Sequence, residues 1–409
     1  MDMIFKDLRE FEKKYDEKAI MALHQTQCAC GKCREMDFTD VRVTIGAVHI
    51  EIPECPVMKC PACGEMQLCP IIPAEIYKAY DKTRKNGNFC KLTMRNNRRF
   101  EWAHALNLQY DSRDLCIPGL NVDLDPMHPA GYSCPVFFKK KILGAFYNDD
   151  DYVLDFFSES YGCIAKKGTD GFEYDWLVHF GINKNDRVIM FLGDLDAIDK
   201  EETAAYLLKS YNIESDHCVV DTELYRAQMY CVPSEPIIEK RILILKDSFY
   251  QRIQKKYGIS LFHLQSECEE KKKRLQKPLH YTEKEISTNI DLMDGILNEG
   301  IDSGELKRLY KTFYDVNPPE DIETQTRKIL EKIIAYKDEK ASRIIGPLYA
   351  LNDLRNYFSH LLSQKKMNKF KENALKTLGL SDFEDYKKLY DTLIERLYKL
   401  YQYLNIIDW

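Results

Sequence analysis

No run of eighteen apolar residues occurs anywhere in the 409-residue chain, and a helix needs about that many to cross a bilayer. Neither G-x-x-x-x-G-K-[ST] nor G-x-G-x-x-G occurs, so the phosphate-cradling loops of nucleotide hydrolases and dinucleotide enzymes have no support. No internal repeat or low-complexity segment is evident. The opening MDMIFKDLREFEKKYDEK reads as a charged amphipathic helix within residues 1–25 rather than a signal peptide. The chain is therefore expected in the cytoplasm and off the membrane. Charge of one sign does not dominate, since 59 Lys and Arg face 65 Asp and Glu. The balance is uneven along the chain, however: residues 1–235 carry about −10 and residues 236–409 about +4. The acidic part is not expected to bind nucleic acid non-specifically. With 44% hydrophobic and 30% charged residues, the chain has ample core for two or three domains.

Cysteine, by contrast, is plentiful and crowded. Of the 14 cysteines, seven lie between Cys28 and Cys69. Two C-x-x-C pairs, Cys30/Cys33 and Cys60/Cys63, stand 26 residues apart. In a chain without an export signal this spacing favours thiolates on zinc over disulfides. Each knuckle presents two sulfurs on a tight turn, so Cys30, Cys33, Cys60 and Cys63 are expected to hold a structural Zn2+. Four thiolates leave no position for a reacting water, which argues against catalytic zinc. Cys28 is an alternative ligand in place of Cys30, while Cys55 and Cys69 read as spare thiols. Between the pairs, VRVTIGAVHIEIP alternates as a strand or short hairpin does, with Gly46 at the turn. This layout resembles the zinc finger at the N-terminus of antitoxins of the YgiT/MqsA type, and the resemblance implies a zinc-binding β module over residues 26–75.

Residues 76–235 read as a central α/β domain of unknown type, with α+β the other arrangement open to it. Strand-like composition covers 139–147 and 152–157. An apolar strand from Arg187 precedes a helix over 201–211 and a strand at 218–221. Asp194, Asp196 and Asp199 follow the apolar strand, where open α/β sheets bind ligands or Mg2+. A helix cap at Asp199 explains much of the same pattern. Arg95, Arg98 and Arg99, with Phe100 and Trp102 beside them, read as a nucleic-acid contact or as a plain surface turn.

From residue 236 glycine and proline become sparse and helical patterns fill the chain to 409, so an all-α bundle is expected there. Asp321 and Ser381 are candidate helix caps. The last pattern carries Tyr386, Leu389, Tyr390, Leu393, Leu397, Leu400 and Tyr401 as a heptad-like stripe, a core or dimer seam. The basic clusters Lys271–Arg274 and Lys365–Lys366 would suit a phosphate backbone or a solvated helix end. In PLYALNDLRNYFSHLL, residues 347–362, the leucines and Phe358 fall on one arc at helical spacing. Beside Arg355 runs an uncharged strip of Asn352, Asn356, Ser359 and His360, where a solvated face would carry Lys and Glu.

Arg355-Asn356-Tyr357-Phe358-Ser359-His360 resembles the R-polar-x-x-x-H signature of HEPN domains, all-helical modules of which many are metal-independent RNA endonucleases. The resemblance implies that His360 moves the 2′-hydroxyl proton, that Arg355 stabilises the phosphoryl transition state and that Asn356 orients them. It also implies a homodimer in which these residues meet across the interface. The chemistry is coherent without the family, because a group titrating near neutrality and a fixed cation at phosphate can cleave RNA through its own 2′-hydroxyl. The expected whole is a multidomain α+β endoribonuclease acting on RNA. Its zinc and α/β modules would sense or target, in a toxin or anti-phage role with a protein or phage-derived activator. The alternatives are an antitoxin-like zinc-finger regulator and a non-catalytic helical scaffold, with Arg355 paired to Asp353 or to a carboxylate of another helix.

Overall fold

The structure, a computed structural model, describes residues 1–95, 98–100, 106–121, 131–169, 173–338, 341–359 and 363–409. His360 and Trp102, both singled out above, lie outside the described residues. The chain divides into two compact units, Met1–Glu235 and Pro236–Trp409.

The first unit begins with a strand rather than a helix: β1 (Asp2–Phe5) precedes two short helices, α1 (Leu8–Lys14) and α2 (Glu17–Leu23). Asp7 and Asp16 cap these helices through their side chains. Two separate caps explain why one continuous amphipathic helix does not form. Strands β2 (Glu35–Ile45) and β3 (Val48–Lys59) form the long hairpin that the alternating stretch predicts. Gly46 sits at its tip with φ +60, a backbone conformation costly for other residues. One hairpin face buries Val41, Val43, Ile45, Val48, Ile50 and Ile52. β1 adds in parallel to β2, β4 (Met66–Leu68) antiparallel to β3, and β5 (Phe89–Lys91) in parallel to the other end of β3. The helix α3 (Ile72–Asn86) between β4 and β5 buries Ile72 and Ile76.

A second sheet follows. It is built from β6 (Pro135–Lys139), β7 (Tyr152–Phe156), β8 (Tyr161–Lys167), β9 (Tyr174–Ile182), β10 (Arg187–Phe191) and β11 (Asn212–Ile213), in the order β11-β6-β10-β9-β8-β7. Every neighbouring pair is antiparallel, so of the two arrangements open to this part, α/β and α+β, it adopts α+β. Four consecutive strands joined as a meander need no crossover helices. The strand expected over 139–147 is the helix α4 (Lys141–Tyr147), which buries Ile142, Leu143 and Phe146 on a helical rather than an alternating period. Residues 218–221 form no strand. The helices α5 (Leu192–Leu195), α6 (Thr203–Tyr211) and α7 (Glu223–Tyr230) complete the unit. The segments that the sequence divides at residue 75 share one apolar core, in which Val41, Ile50 and Val57 pack with Phe137, Phe191 and Leu224.

The second unit is helical: α8 (Ile238–Tyr257), α9 (Gln265–Arg274), α10 (Glu283–Asp294), α11 (Ser303–Tyr314), α12 (Thr326–Lys337), α13 (Ala341–Ile344), α14 (Gly346–Ser359), α15 (Gln364–Leu378) and α16 (Tyr386–Ile406). Thr282 and Glu285 form a reciprocal capping box that starts α10. Gly258 and Gly379, both left-handed, stop α8 and α15. The caps differ from those expected. Asp385, not Ser381, accepts from the first turn of α16, and α12 starts after a separate turn in which Ile322 bonds back to Pro319. The aromatic stripe of α16 is core: Leu389, Tyr390, Leu393, Leu397, Leu400 and Tyr401 are all buried. At the end of α10 the helix widens into a π turn, Gly295–Glu299.

Candidate functional site

Antiparallel pairing decides where the cysteines meet. Glu35 pairs with Lys59 at one end of the β2–β3 ladder, so the chain entering β2 and the chain leaving β3 emerge side by side. The entering chain carries the turn of Cys28 to Cys33, and the leaving chain the turn of Cys60 to Cys63. Both are closed by the same backbone pattern. Cys28 N–H donates to Lys32 O across 2.8 Å, as Cys60 N–H does to Glu65 O, and the N–H of Gly31 and Gly64 returns to the carbonyls of Cys28 and Cys60. The two glycines have φ +84 and +75. The first turn is thus the second shortened by one residue, C-x-C-G against C-x-x-C-G.

The Sγ atoms of Cys28, Cys30, Cys60 and Cys63 lie within 4.8 Å of one another. Cys28 approaches Cys63 at 3.5 Å and Cys30 approaches Cys60 at 3.4 Å. A tetrahedron of thiolates around a metal has sulfur–sulfur edges of about 3.8 Å, given metal–sulfur bonds near 2.3 Å. The four cysteines can therefore hold a metal ion. Cys33, expected among the ligands, is not in the group; Cys28 is. Half-buried, Cys33 packs on the apolar core and pairs through its backbone with Gln27 at the base of the turn. The readable signal is the glycine after the second ligand, which follows Cys30 and Cys63 but not Cys33. Cys55 and Cys69 are fully buried in the core, where desolvation raises both thiols, Cys55 to about 12.

Charge around the four sulfurs is arranged by two side chains. Cys28 Sγ lies 3.0 Å from a Glu65 carboxylate oxygen, and this hydrogen bond above all pushes its thiol up to about 12. The backbone N–H groups of Cys63 and Ala62 pull Cys60 down to about 6. Arg34, its side chain only 8% exposed, pairs with Glu65 at 3.2 Å and donates to the carbonyl of Gln27 at 2.8 Å. The buried guanidinium thus holds the carboxylate that meets Cys28 and neutralises it, so that Glu65 does not add its charge to that of a metal-bound tetrathiolate.

The acidic trio after β10 does not converge. Asp194 accepts from the Tyr132 hydroxyl at 2.9 Å, and burial raises its carboxyl. Asp199 bonds the Glu201 N–H. Among the described residues the four cysteines are the one metal-ligand group. Sequence reading missed a further polar cluster. Asp114, fully buried, accepts from Ser215 Oγ at 2.7 Å and pairs with His217 Nδ1 at 2.6 Å. Residues a hundred positions apart leave no local signal.

In the second unit, α14 packs against α10, α15 and α16. It buries Leu348, Leu351 and Leu354 and keeps Arg355 and Asn356 half-buried at its rim. The Arg355 guanidinium, 25% exposed, pairs with Asp291 of α10 at 3.4 Å and with Glu299 of the π turn at 3.1 Å. Asn298, in the same turn, donates to the Leu348 carbonyl at 3.3 Å, and this stitches the turn to α14. Asn356 donates to Asn352 at 3.2 Å, and Asn352 also accepts from Arg327 at 2.9 Å. The structure thus sets Arg355 with Asp291 and Glu299, and Asn356 with Asn352 and Arg327, and the Asp294 carboxyl, raised by burial, is drawn on by both guanidiniums. Burial pushes the Asp353 carboxyl up to about 6, against the pull of Arg327 and Lys369. A widened turn re-aims side chains that a regular helix would direct away, so Glu299 as a partner of Arg355 is not readable from helical spacing.

The chain matches no protein-family model, no curated protein and no solved structure. Fold and site together define a mixed α+β protein with a four-cysteine centre able to hold a metal ion. No helix among the described residues is long and apolar enough to cross a membrane.

Proposed function

We propose that the chain is a metal-independent endoribonuclease of HEPN type, with Arg355, Asn356 and His360 as its reacting residues. The observation that carries this reading is the cluster at the rim of α14. It holds a partly open guanidinium steadied by Asp291 and Glu299, and Asn356, bonded to Asn352, follows Arg355 on the same helix; His360 stands five residues after the arginine in the sequence. His360 takes the proton of the ribose 2′-hydroxyl. The 2′-oxygen then attacks phosphorus, the 5′-oxygen leaves and takes up a proton, and Arg355 neutralises charge on the non-bridging oxygens. The products carry a 2′,3′-cyclic phosphate and a 5′-hydroxyl. A homodimer would place a second imidazole as the acid. Zn2+ on Cys28, Cys30, Cys60 and Cys63 serves folding of the hairpin end, since the donor set is all sulfur. A cytoplasmic toxin or anti-phage effector, released by a protein or phage-derived activator, fits such an activity.

A second reading, a non-catalytic helical scaffold, is favoured by the same ion pairs, because two carboxylates on one arginine suffice to lock α10 to α14. Cleavage of labelled RNA with magnesium chelated, by wild type, Arg355→Ala and His360→Ala, separates the two. Cyclic-phosphate ends formed by wild type and reduced about 100-fold or more in the variants support the nuclease. Equal cleavage by all three overturns it.

A further inference from the structure

β5 is a three-residue strand paired on one side with β3, and beyond it, against α3, lies a cleft of about 430 Å³. Its apolar part is Ala79, Leu92 and the half-buried Cys90. Its charges are of nearly one sign: Lys78, Lys82 and Lys91 line it, with Glu75 as the acid. Glu75 is taken by Lys78 at 2.8 Å, and the neighbouring Asp81 by Arg84 and Lys85. Lys82 and Lys91, both exposed, have no carboxylate within ion-pair distance among the described residues. The lining of the cleft thus carries an excess of two positive charges on the acidic unit of the chain; Glu51, in register with Lys91 on β3, is taken by Arg42 at 3.9 Å.

An unpaid aromatic surface adjoins the lysines. Phe89, which lines the same cleft, is 60% exposed. It stands in register with His49 of β3, itself exposed. Residues paired across strands project on the same face, so both side chains project on the solvent face of the sheet, where His49 Nδ1 meets Thr44 Oγ1 at 3.1 Å. Gly87, at the cleft's edge, has nothing within 4 Å of where a Cβ would stand, which leaves the entrance clear.

We infer that this cleft binds single-stranded RNA, with backbone phosphates on Lys82 and Lys91 and a base stacked on Phe89. The inference rests on the reading of the chain as an RNA-acting protein and supplies a substrate-holding surface made of residues other than the reacting ones. Unpaired lysines along a groove with an exposed ring beside them are the combination that holds single strands without reading sequence. A duplex keeps its bases stacked inside and offers no face to Phe89, so the preference is for the single strand.

The test is binding of an uncleavable, fully 2′-O-methylated single-stranded oligonucleotide to the full chain, followed by fluorescence anisotropy across a salt series. Lys82→Glu/Lys91→Glu should weaken binding at least tenfold and reduce the slope of log K against log salt by about 1.4, at about 0.7 per phosphate contact. Phe89→Ala should weaken binding roughly 5- to 150-fold with the slope unchanged. All three side chains are exposed, and an unchanged thermal midpoint verifies that the fold is kept. Wild-type affinity and slope in these variants would overturn the inference, as would a wild type that binds no RNA, which would leave the cleft to a protein partner. Because the oligonucleotide cannot be cut, the outcome is independent of cleavage. Binding lost in the cleft variants alongside cleavage that Arg355→Ala and His360→Ala leave unchanged would retain the cleft and remove the proposed nuclease site.

Discussion

Arg355 of α14 donates to Glu299 of the π turn across 3.1 Å, although 56 residues separate them in the chain. The proposed chemistry needs that guanidinium for phosphate, so substrate competes with Glu299 and with Asp291 for one cation. Both carboxylates are about half exposed, and pairs of this kind contribute about 0.2–1 kcal/mol. Glu299→Gln should therefore tighten binding of the uncleavable RNA by about 1.4- to 5-fold, measured at low salt. A weaker complex in this variant would mean that Glu299 positions the arginine rather than competing for it.

Metal content discriminates between the two sets of four cysteines. Cys28→Ser and Cys60→Ser should lower bound metal from one ion per chain towards none, whereas Cys33→Ser retains it. Elemental analysis of purified protein measures this directly. Cobalt substituted for zinc should give the intense sulfur-to-metal absorption of a tetrathiolate in wild type and in Cys33→Ser. Arg34→Ala, which leaves the Glu65 carboxylate beside Cys28 without its cation, should weaken metal affinity by about 10- to 100-fold.

Burial pushes the Asp353 carboxyl up to about 6, against the opposing pull of Arg327 and Lys369. In the unfolded chain an aspartate titrates near about 3.9. Between these values the folded state holds a proton that the unfolded state has released, so stability from this group falls as pH rises through that window. Asp353→Asn should match wild type near pH 4 and exceed it above pH 6, as read from urea midpoints at each pH. A difference of the same size at both ends would assign Asp353 another role.

Tyr390 ties three helices through one hydroxyl. It donates to Glu239 of α8 at 3.0 Å and accepts from Asn289 of α10 at 3.3 Å, and all three residues are buried. Tyr390→Phe removes a donor from a buried carboxylate and should destabilise the second unit by about 1–3 kcal/mol, visible in denaturant unfolding. Tyr386→Phe, whose hydroxyl meets Glu283 at an exposed position, is the control and should cost little.

What could be read without coordinates follows local rules. The alternation around Gly46, the helical periods from Ile237 onward and the core stripe of α16 depend on residues a few positions apart, and each recurs in the fold. Where a local rule misled, a competing local feature won. A helical burial period overrode strand-like composition over 141–147, and the glycines after Cys30 and Cys63 chose the ligands that the C-x-x-C spacing had divided differently.

Only the tertiary structure brought Asp291 and Glu299 to Arg355, closed the cysteine centre at one end of a ladder, and set Lys82 and Lys91 about a cleft with Phe89. Side-chain chemistry and short-range periodicity are carried by the sequence itself. Which charges end up facing one another depends on strand register and helix packing across tens of residues, and on a widened turn that no helical period announces.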